Sequence, residues 1–162
     1  MCGLMENAKK SLVVYYSRTG ATKKVAEKIA EELSCDIEEI IDLKKRTGII
    51  GFIFCGRDAS EKRSTRIRDV NYDPSKFDLV IICTPIWAGN MTPAIRTYIG
   101  RFKNIFSSIA FLCTMGGSGD KSAFENMREA ANRTPVAALA ITSKEIRNGE
   151  YAAKIKGFIN EL

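Results

Sequence analysis

The chain contains no histidine. That absence removes every mechanism built on imidazole: Ser-His-Asp and Cys-His catalysis, HExxH zinc sites and histidine general acid–base work. Cysteine is sparse as well. The five (Cys2, Cys35, Cys55, Cys83 and Cys113) stand far apart with no CxxC pair, so no metal site is expected. Their odd number, with several set in apolar runs, predicts reduced core thiols and a cytoplasmic location. No apolar run approaches the ~20 residues of a membrane span, and the opening MCGLMENAKK is too polar for a signal peptide. Linkers, repeats and low-complexity segments are missing too. Residues 1–162 therefore read as one domain, large enough to bury roughly 70% of its unfolded surface without disulfides.

What is present is an excess of positive charge: 25 Lys and Arg against 19 Asp and Glu, a net +6. This favours acidic partners. The chain lacks a nucleic-acid motif, and the basic stretch carries no interleaved aromatics, so nucleic acid is not the expected partner.

Hydrophobic patterning alternates strand and helix from end to end. Short apolar, β-branched runs at residues 11–16, 37–43, 78–84, 109–113 and 136–141 predict strands, the strongest being DLVIICT at 78–84. Helical spacing follows at 21–33, 92–101, 122–132 and 150–159, with Val25, Ala26, Ile29, Ala30 and Leu33 on one face of the first. Alternation of this kind implies an α/β fold with a parallel sheet, wound through right-handed crossovers. Ligands then sit at the carboxyl ends of the strands, where the strand order reverses. Residues 48–68 are the least regular part. Their first half is apolar (Ile49, Ile50, Phe52, Ile53, Phe54) and is expected to pack on the sheet. Their second half carries Arg57, Lys62, Arg63, Arg66 and Arg68 and is the best candidate for contact with an acidic partner.

Three strand ends carry chemistry. After the first strand, Ser17-Arg18-Thr19-Gly20-Ala21-Thr22 opens a helix. Glycine permits the tight turn, the helix start leaves backbone N–H groups without partners, and three hydroxyls add neutral donors. With the positive end of the helix dipole, this predicts a phosphate site. It is neither a P-loop nor a dinucleotide GxGxxG. After the third strand, Pro85-Ile86-Trp87-Ala88-Gly89-Asn90 places the only tryptophan in a turn, an apolar face for a planar ring beside backbone groups for its polar edge. After the fourth, Thr114-Met115-Gly116-Gly117-Ser118-Gly119 allows close backbone approach to a ligand.

These residues resemble the flavodoxin-like FMN proteins, whose phosphate loop reads Ser/Thr-x-Thr-Gly-x-Thr. Ser17, Thr19, Gly20 and Thr22 match it position by position. The resemblance implies a three-layer sandwich with a five-stranded parallel sheet of order 2-1-3-4-5 and helices on both faces. It implies FMN as cofactor, with Pro85 to Asn90 along the isoalloxazine ring and the Thr114–Gly119 loop at its pyrimidine end. Thr84-Pro85 followed by Gly89-Asn90-Met91 is also similar to the loop of quinone reductases of the Trp-repressor-binding-protein type. Residues 48–68 resemble a glycine- and aromatic-rich stretch of some short flavodoxin-like proteins. Electron-carrier flavodoxins place a second aromatic in the loop after the fourth strand, and this chain has none there. Another aromatic covers that flavin face, or it stays open.

The leading expectation is a flavodoxin-type electron carrier whose chemistry resides on FMN, with no catalytic side chain. It would exchange electrons with protein partners, of which an acidic, ferredoxin-like donor complements the charge. The alternative is an FMN-dependent NAD(P)H or quinone oxidoreductase, though the insertions that such quinone reductases use to build pockets are lacking. A non-redox binding module is the minor alternative. Oligomeric state stays open, and a homodimer is compatible with all three.

Overall fold

The β-branched runs form five strands: β1 (Ser11–Tyr15), β2 (Asp36–Glu39), β3 (Leu79–Pro85), β4 (Ile109–Met115) and β5 (Ala138–Thr142). In the computed structural model, which describes residues 8–162, they pair in parallel in the order β2-β1-β3-β4-β5. Val13 lies opposite Ile37 on one side and Ile81 on the other, and Ile81 opposite Ala110. This is the flavodoxin-like α/β sheet that the resemblance implies. Cys2 lies outside the described residues. The remaining four cysteines are free thiols, three of them buried.

Side chains alternate across the pleat, and both faces are buried. Leu12, Val14, Val80, Ile82, Phe111 and Cys113 pack under helices α3 (Pro93–Phe102) and α4 (Asp120–Ala131). Val13, Leu79, Ile81, Cys83, Ala110 and Leu112 face α1 (Ala21–Leu33), α5 (Ser143–Asn148) and α6 (Tyr151–Ile159). Two of these helices begin at side-chain caps. Thr92 caps α3 through a bond from the Ile95 amide, with Pro93 in the first turn. Thr142 and Glu145 form a reciprocal capping box on α5.

Three strand expectations shift, the fourth strand running on to Met115 rather than ending at Cys113. The second strand stops at Glu39 rather than Leu43, because the chain leaves the sheet after Ile40. There Asp42 bridges Ile67 in antiparallel fashion, Leu43 N–H donates to Arg66 and Arg68 N–H to Ile41. The fifth runs two residues later at its start, with Val136 half exposed beyond the sheet.

The larger correction is at residues 48–68. Their apolar half forms a helix, α2 (Gly48–Ser60), and it does not pack on the sheet. The buried positions of α2 are Gly51, Cys55, Asp58 and Ala59, while Ile49, Ile50, Phe52, Ile53 and Phe54 face water. What holds α2 is polar. Buried Arg46 bonds Asp42 through Nε at 2.6 Å and Asp58 through Nη1 at 2.9 Å, and Lys44 reaches Asp58 at 2.6 Å. Burial opposes the charge on Arg46, but its two carboxylate partners outweigh that and raise its pKa. Burial likewise works against the Asp58 carboxylate, and the bonds from Lys44 and Arg46 overcome it, so its pKa is lowered. The basic half of the segment is solvated: Arg57 and Arg63 pair with Glu61, and Lys62 lies 3.7 Å from Glu129.

The helix also depends on one close approach. A Cβ at Gly51 would fall 2.6 Å from the carbonyl carbon of Arg46, a backbone atom that cannot swing aside. Gly51→Ala is therefore expected to cost about 1–3 kcal/mol and to lift α2 from its seat. Hydrogen exchange checks this: amides of α2 should lose protection while those of β3 and β4 keep theirs, and unchanged α2 protection would refute the seating.

Glu145 provides a pH test. Its carboxylate accepts from Lys154 Nζ at 2.6 Å and from the Thr142 amide at 2.7 Å, which together pull its pKa down to about 2. A depressed folded-state pKa gives stability that is present above the ordinary value of 4.5 and lost as pH falls toward 2. Glu145→Gln should thus cost about 1 kcal/mol in urea unfolding at pH 6, the usual worth of a helix cap. The difference should vanish near pH 2; a difference independent of pH would contradict the assignment.

Candidate functional site

The carboxyl ends of β1, β3 and β4 open into a cavity of about 310 Å³. That volume lies at the small end of ligand sites. Its walls come from five segments: Arg18, Thr19, Ala21 and Thr22 after β1; Pro85, Ile86, Trp87 and Ala88 at the end of β3; Thr114, Met115 and Gly116 at the end of β4; Phe52, Cys55 and Gly56 of α2; and Ser143 after β5.

Below Trp87 the wall is built on helix α1. Gly20 takes the N-cap position at φ 96°, in the left-handed region open to glycine, and no side chain caps the helix. The first-turn amides of Ala21, Thr22 and Lys23 are thus left for a ligand. Ser17 does not reach the cavity. Its Oγ accepts the Gly20 N–H at 3.0 Å and closes the turn. Buried Thr22 shares a 2.8 Å hydroxyl bond with Thr114, tying the start of α1 to the end of β4. If Thr114 is the donor, the Thr22 hydroxyl keeps its own proton for an anion. Arg18 turns away from the loop: Nε donates to the Arg46 carbonyl at 2.9 Å and Nη2 to that of Gly48 at 3.4 Å. It holds the start of α2, and its charge stands near the anion site without closing on it.

The middle wall is a hairpin. Trp87 and Asn90 exchange both backbone bonds, at 2.9 and 3.0 Å. Between them Ala88 and Gly89 both have positive φ, 49° and 72°, the pattern of a type I′ turn. A left-handed alanine is strained, and such residues gather at functional sites. Asn90 is not on the cavity wall: it is buried, and its Oδ1 accepts from the Met91 amide and from Arg96. The Trp87 ring meets Tyr16 edge-on at 5.6 Å, and the Arg46 guanidinium lies 5.7 Å from its centroid. Burial, with Asp42 nearby, lifts the Tyr16 phenol to about 12, so it stays neutral.

On the far wall, Thr114, Met115 and Gly116 reach the cavity, whereas Gly117 and Gly119 do not. Gly119, at φ 103°, starts α4, and a Cβ on it would lie 3.2 Å from both the Gly89 Cα and Ile86 Cγ2. Its glycine serves the contact between two loops. Of the residues expected here, Ser17, Gly20, Gly89, Asn90, Gly117 and Gly119 do not line the cavity.

Phe52, Cys55, Gly56 and Ser143 were not expected. Phe52 supplies a second aromatic to the wall beside Trp87, from α2 rather than from the loop after β4. The Cys55 thiol is buried, which pushes its pKa up against the opposing charge of Arg46, so it is no ready thiolate. Ser143 stands at the end of β5, where the strand-end rule alone would have pointed.

FMN, which the resemblance implies, suits these residues. Its phosphate needs uncapped amides and hydroxyls, present at Ala21, Thr22 and Thr19. Its ring needs flat apolar walls, present at Trp87, Ile86 and Phe52.

A flavoprotein from Lactobacillus acidophilus in complex with FMN has the same fold at a TM-score of 0.73 and 26% identity, over 87% of this chain and 98% of that one. The apo-form of the flavoprotein from the same organism matches at 0.63 and 27%, over 86% and 96%. A Fusobacterium nucleatum flavodoxin bound to flavin mononucleotide matches at 0.55 and 12%, over 94% and 96%, a likeness of fold alone. No curated protein matches this chain in sequence. The model of the family described as NADPH-dependent FMN reductase matches residues 12–150, from β1 to the threshold of α6 and so across every wall of the cavity, and the chain belongs to that family.

Proposed function

We propose that this chain is an FMN-holding redox protein that hands electrons between partners. The carrying observation is the cavity wall. It contains no carboxylate, imidazole or amine, and its one guanidinium, Arg18, is bound to two backbone carbonyls. No side chain there can act as general acid or base in neutral water. Bound FMN supplies the one- and two-electron chemistry that the chain itself lacks.

The residues divide the remaining work. The amides of Ala21 and Thr22 and the hydroxyls of Thr19 and Thr22 hold the phosphate. Trp87 and Phe52 exclude water from the ring. The exposed Ala88–Gly89 turn offers backbone groups to its polar edge.

A second reading, an NADPH-dependent reductase, is favoured by the family match and by a neighbouring cavity of about 280 Å³. That cavity brings exposed Lys45 beside Arg18, Lys44 and Arg46, which are already bonded, and beside the acids Glu39 and Asp42, a surplus of positive charge that a phosphorylated cofactor would meet.

Anaerobic titration of the FMN-loaded protein separates the readings. For a carrier, dithionite bleaches the flavin absorbance and NADPH alone leaves it unchanged for minutes. Stoichiometric bleaching by NADPH would establish the reductase instead. The phosphate assignment has its own check. Replacing Thr19 and Thr22 together by Ala should weaken FMN by roughly tenfold to a hundredfold, at about 1 kcal/mol per hydrogen bond. Riboflavin binding should hardly change. Equal losses for both ligands would sink the assignment.

A further inference from the structure

Helix α2 exposes what a folded chain normally hides. Ile49, Ile50, Phe52 and Ile53 are 82%, 70%, 66% and 62% exposed, and Phe54 and Leu43 add partly exposed apolar surface beside them. Together they form a contiguous apolar ridge, with no described residue packed over it. Patches of this size mark interaction surfaces. The ridge is convex and stands on a single helix, and it runs to the cavity, where Phe52 is part of the wall.

The ridge is bordered by an excess of positive charge. The Lys44 ammonium lies 5.2 Å from the Phe54 ring centroid, the Arg57 guanidinium 5.3 Å from the same ring, and that of Arg18 5.8 Å from Phe52. Lys45, Lys62 and Arg63 are exposed nearby. Three acids are interleaved with them: Asp58 pairs with Lys44 and Arg46, Asp42 with Arg46, and Glu61 with Arg63 and Arg57, so the border keeps a surplus of positive charge rather than free cations alone.

From this ridge and its border of cations we infer that α2 docks the protein on an anionic lipid surface. The helix lies in the plane of the interface, with Ile49, Ile50, Ile53 and Phe54 at the acyl boundary. Lys44, Lys45, Arg57 and Arg63 sit at the depth of the lipid phosphates, their stems running along apolar surface and their heads in water. A second copy of the chain is a poorer occupant, because it would bring the same cations face to face on two molecules of net charge +6. A protein groove would have to match the shape of the ridge, whereas a bilayer takes a convex apolar face without shape matching and its anionic headgroups attract the adjoining surplus of cations. The inference does not depend on which redox reading holds. Its consequence for the site is positional: with Phe52 at the water–lipid boundary, the cavity mouth opens toward the bilayer.

Co-sedimentation with vesicles tests it, using the full chain loaded with FMN. The protein should partition onto phosphatidylglycerol–phosphatidylcholine vesicles at low salt, release as salt rises, and bind pure phosphatidylcholine far more weakly. Replacing Ile49 and Ile53 together by Ser should lower the partition coefficient by roughly tenfold or more. Arg57→Glu with Arg63→Glu should lower it by a similar factor. All four side chains are exposed, and circular dichroism should show both variants folded. Failure of the native protein to bind anionic vesicles would overturn the inference, as would binding insensitive to the isoleucine pair or equal binding to neutral vesicles. A dimer in analytical ultracentrifugation that the isoleucine substitutions dissolve would assign the ridge to a second copy instead.

Discussion

Burial of both sheet faces is the constraint from which the rest follows. A parallel sheet cannot be closed by hairpins, so each strand must return through a crossover, and both apolar faces need a layer of helix. Here α1 covers one face after β1, and α3 and α4 cover the other after β3 and β4. The chain therefore leaves the adjacent strands β1 and β3 in opposite directions. Their carboxyl ends diverge, and the crevice between them needs no residue of its own to exist. The parts with chemistry are laid at its rim: uncapped amides of α1, a strained turn after β3, and a hydroxyl pair bridging α1 to β4.

Helix α2 obeys a different rule. Its apolar side chains contribute little to its position, which is set by buried charge around Arg46, by two backbone bonds from Arg18 and by the absence of a side chain at Gly51. Removing one partner from a buried ion network leaves an uncompensated charge, which makes such anchors intolerant of change. Hydrophobic groups are thereby freed for the outer surface, and Phe52 is delivered to a cavity that the strand-end loops alone would leave with one aromatic wall.

The contrast between these two rules explains what could be read from the amino-acid order. Strands such as LVIICT and IAFLC carry their burial in composition, and α1 carries it in spacing, so strands and helix faces were legible, whereas the sheet order followed only from the resemblance carried by the loops. Helix α2 was not, because its pattern is inverted: the positions that pack are Gly51, Cys55, Asp58 and Ala59, and the bulky ones are outside. The threonines of the first loop line the cavity, and its glycine starts the helix beside it. The division of labour within the loop was invisible, since whether Ser17 faces a ligand or its own backbone depends on a turn only a few degrees of freedom wide. Phe52 and Cys55 reach the wall through a helix whose placement depends on Arg46, far along the chain from the loops they join.

The contact between Gly119 and Gly89 has a consequence for how such a cavity diversifies. The loops after β3 and β4 abut backbone against backbone, with only 3.2 Å between the Gly89 Cα and the place of a Gly119 Cβ. One missing side chain, that of Gly119, thus sets the spacing of the rim. A methyl group there would press on the Gly89 backbone and push the loops apart without altering any residue that lines the crevice. Ligand size in this architecture is in that sense governed from outside the pocket, and related chains can drift toward larger or smaller guests while their walls stay the same.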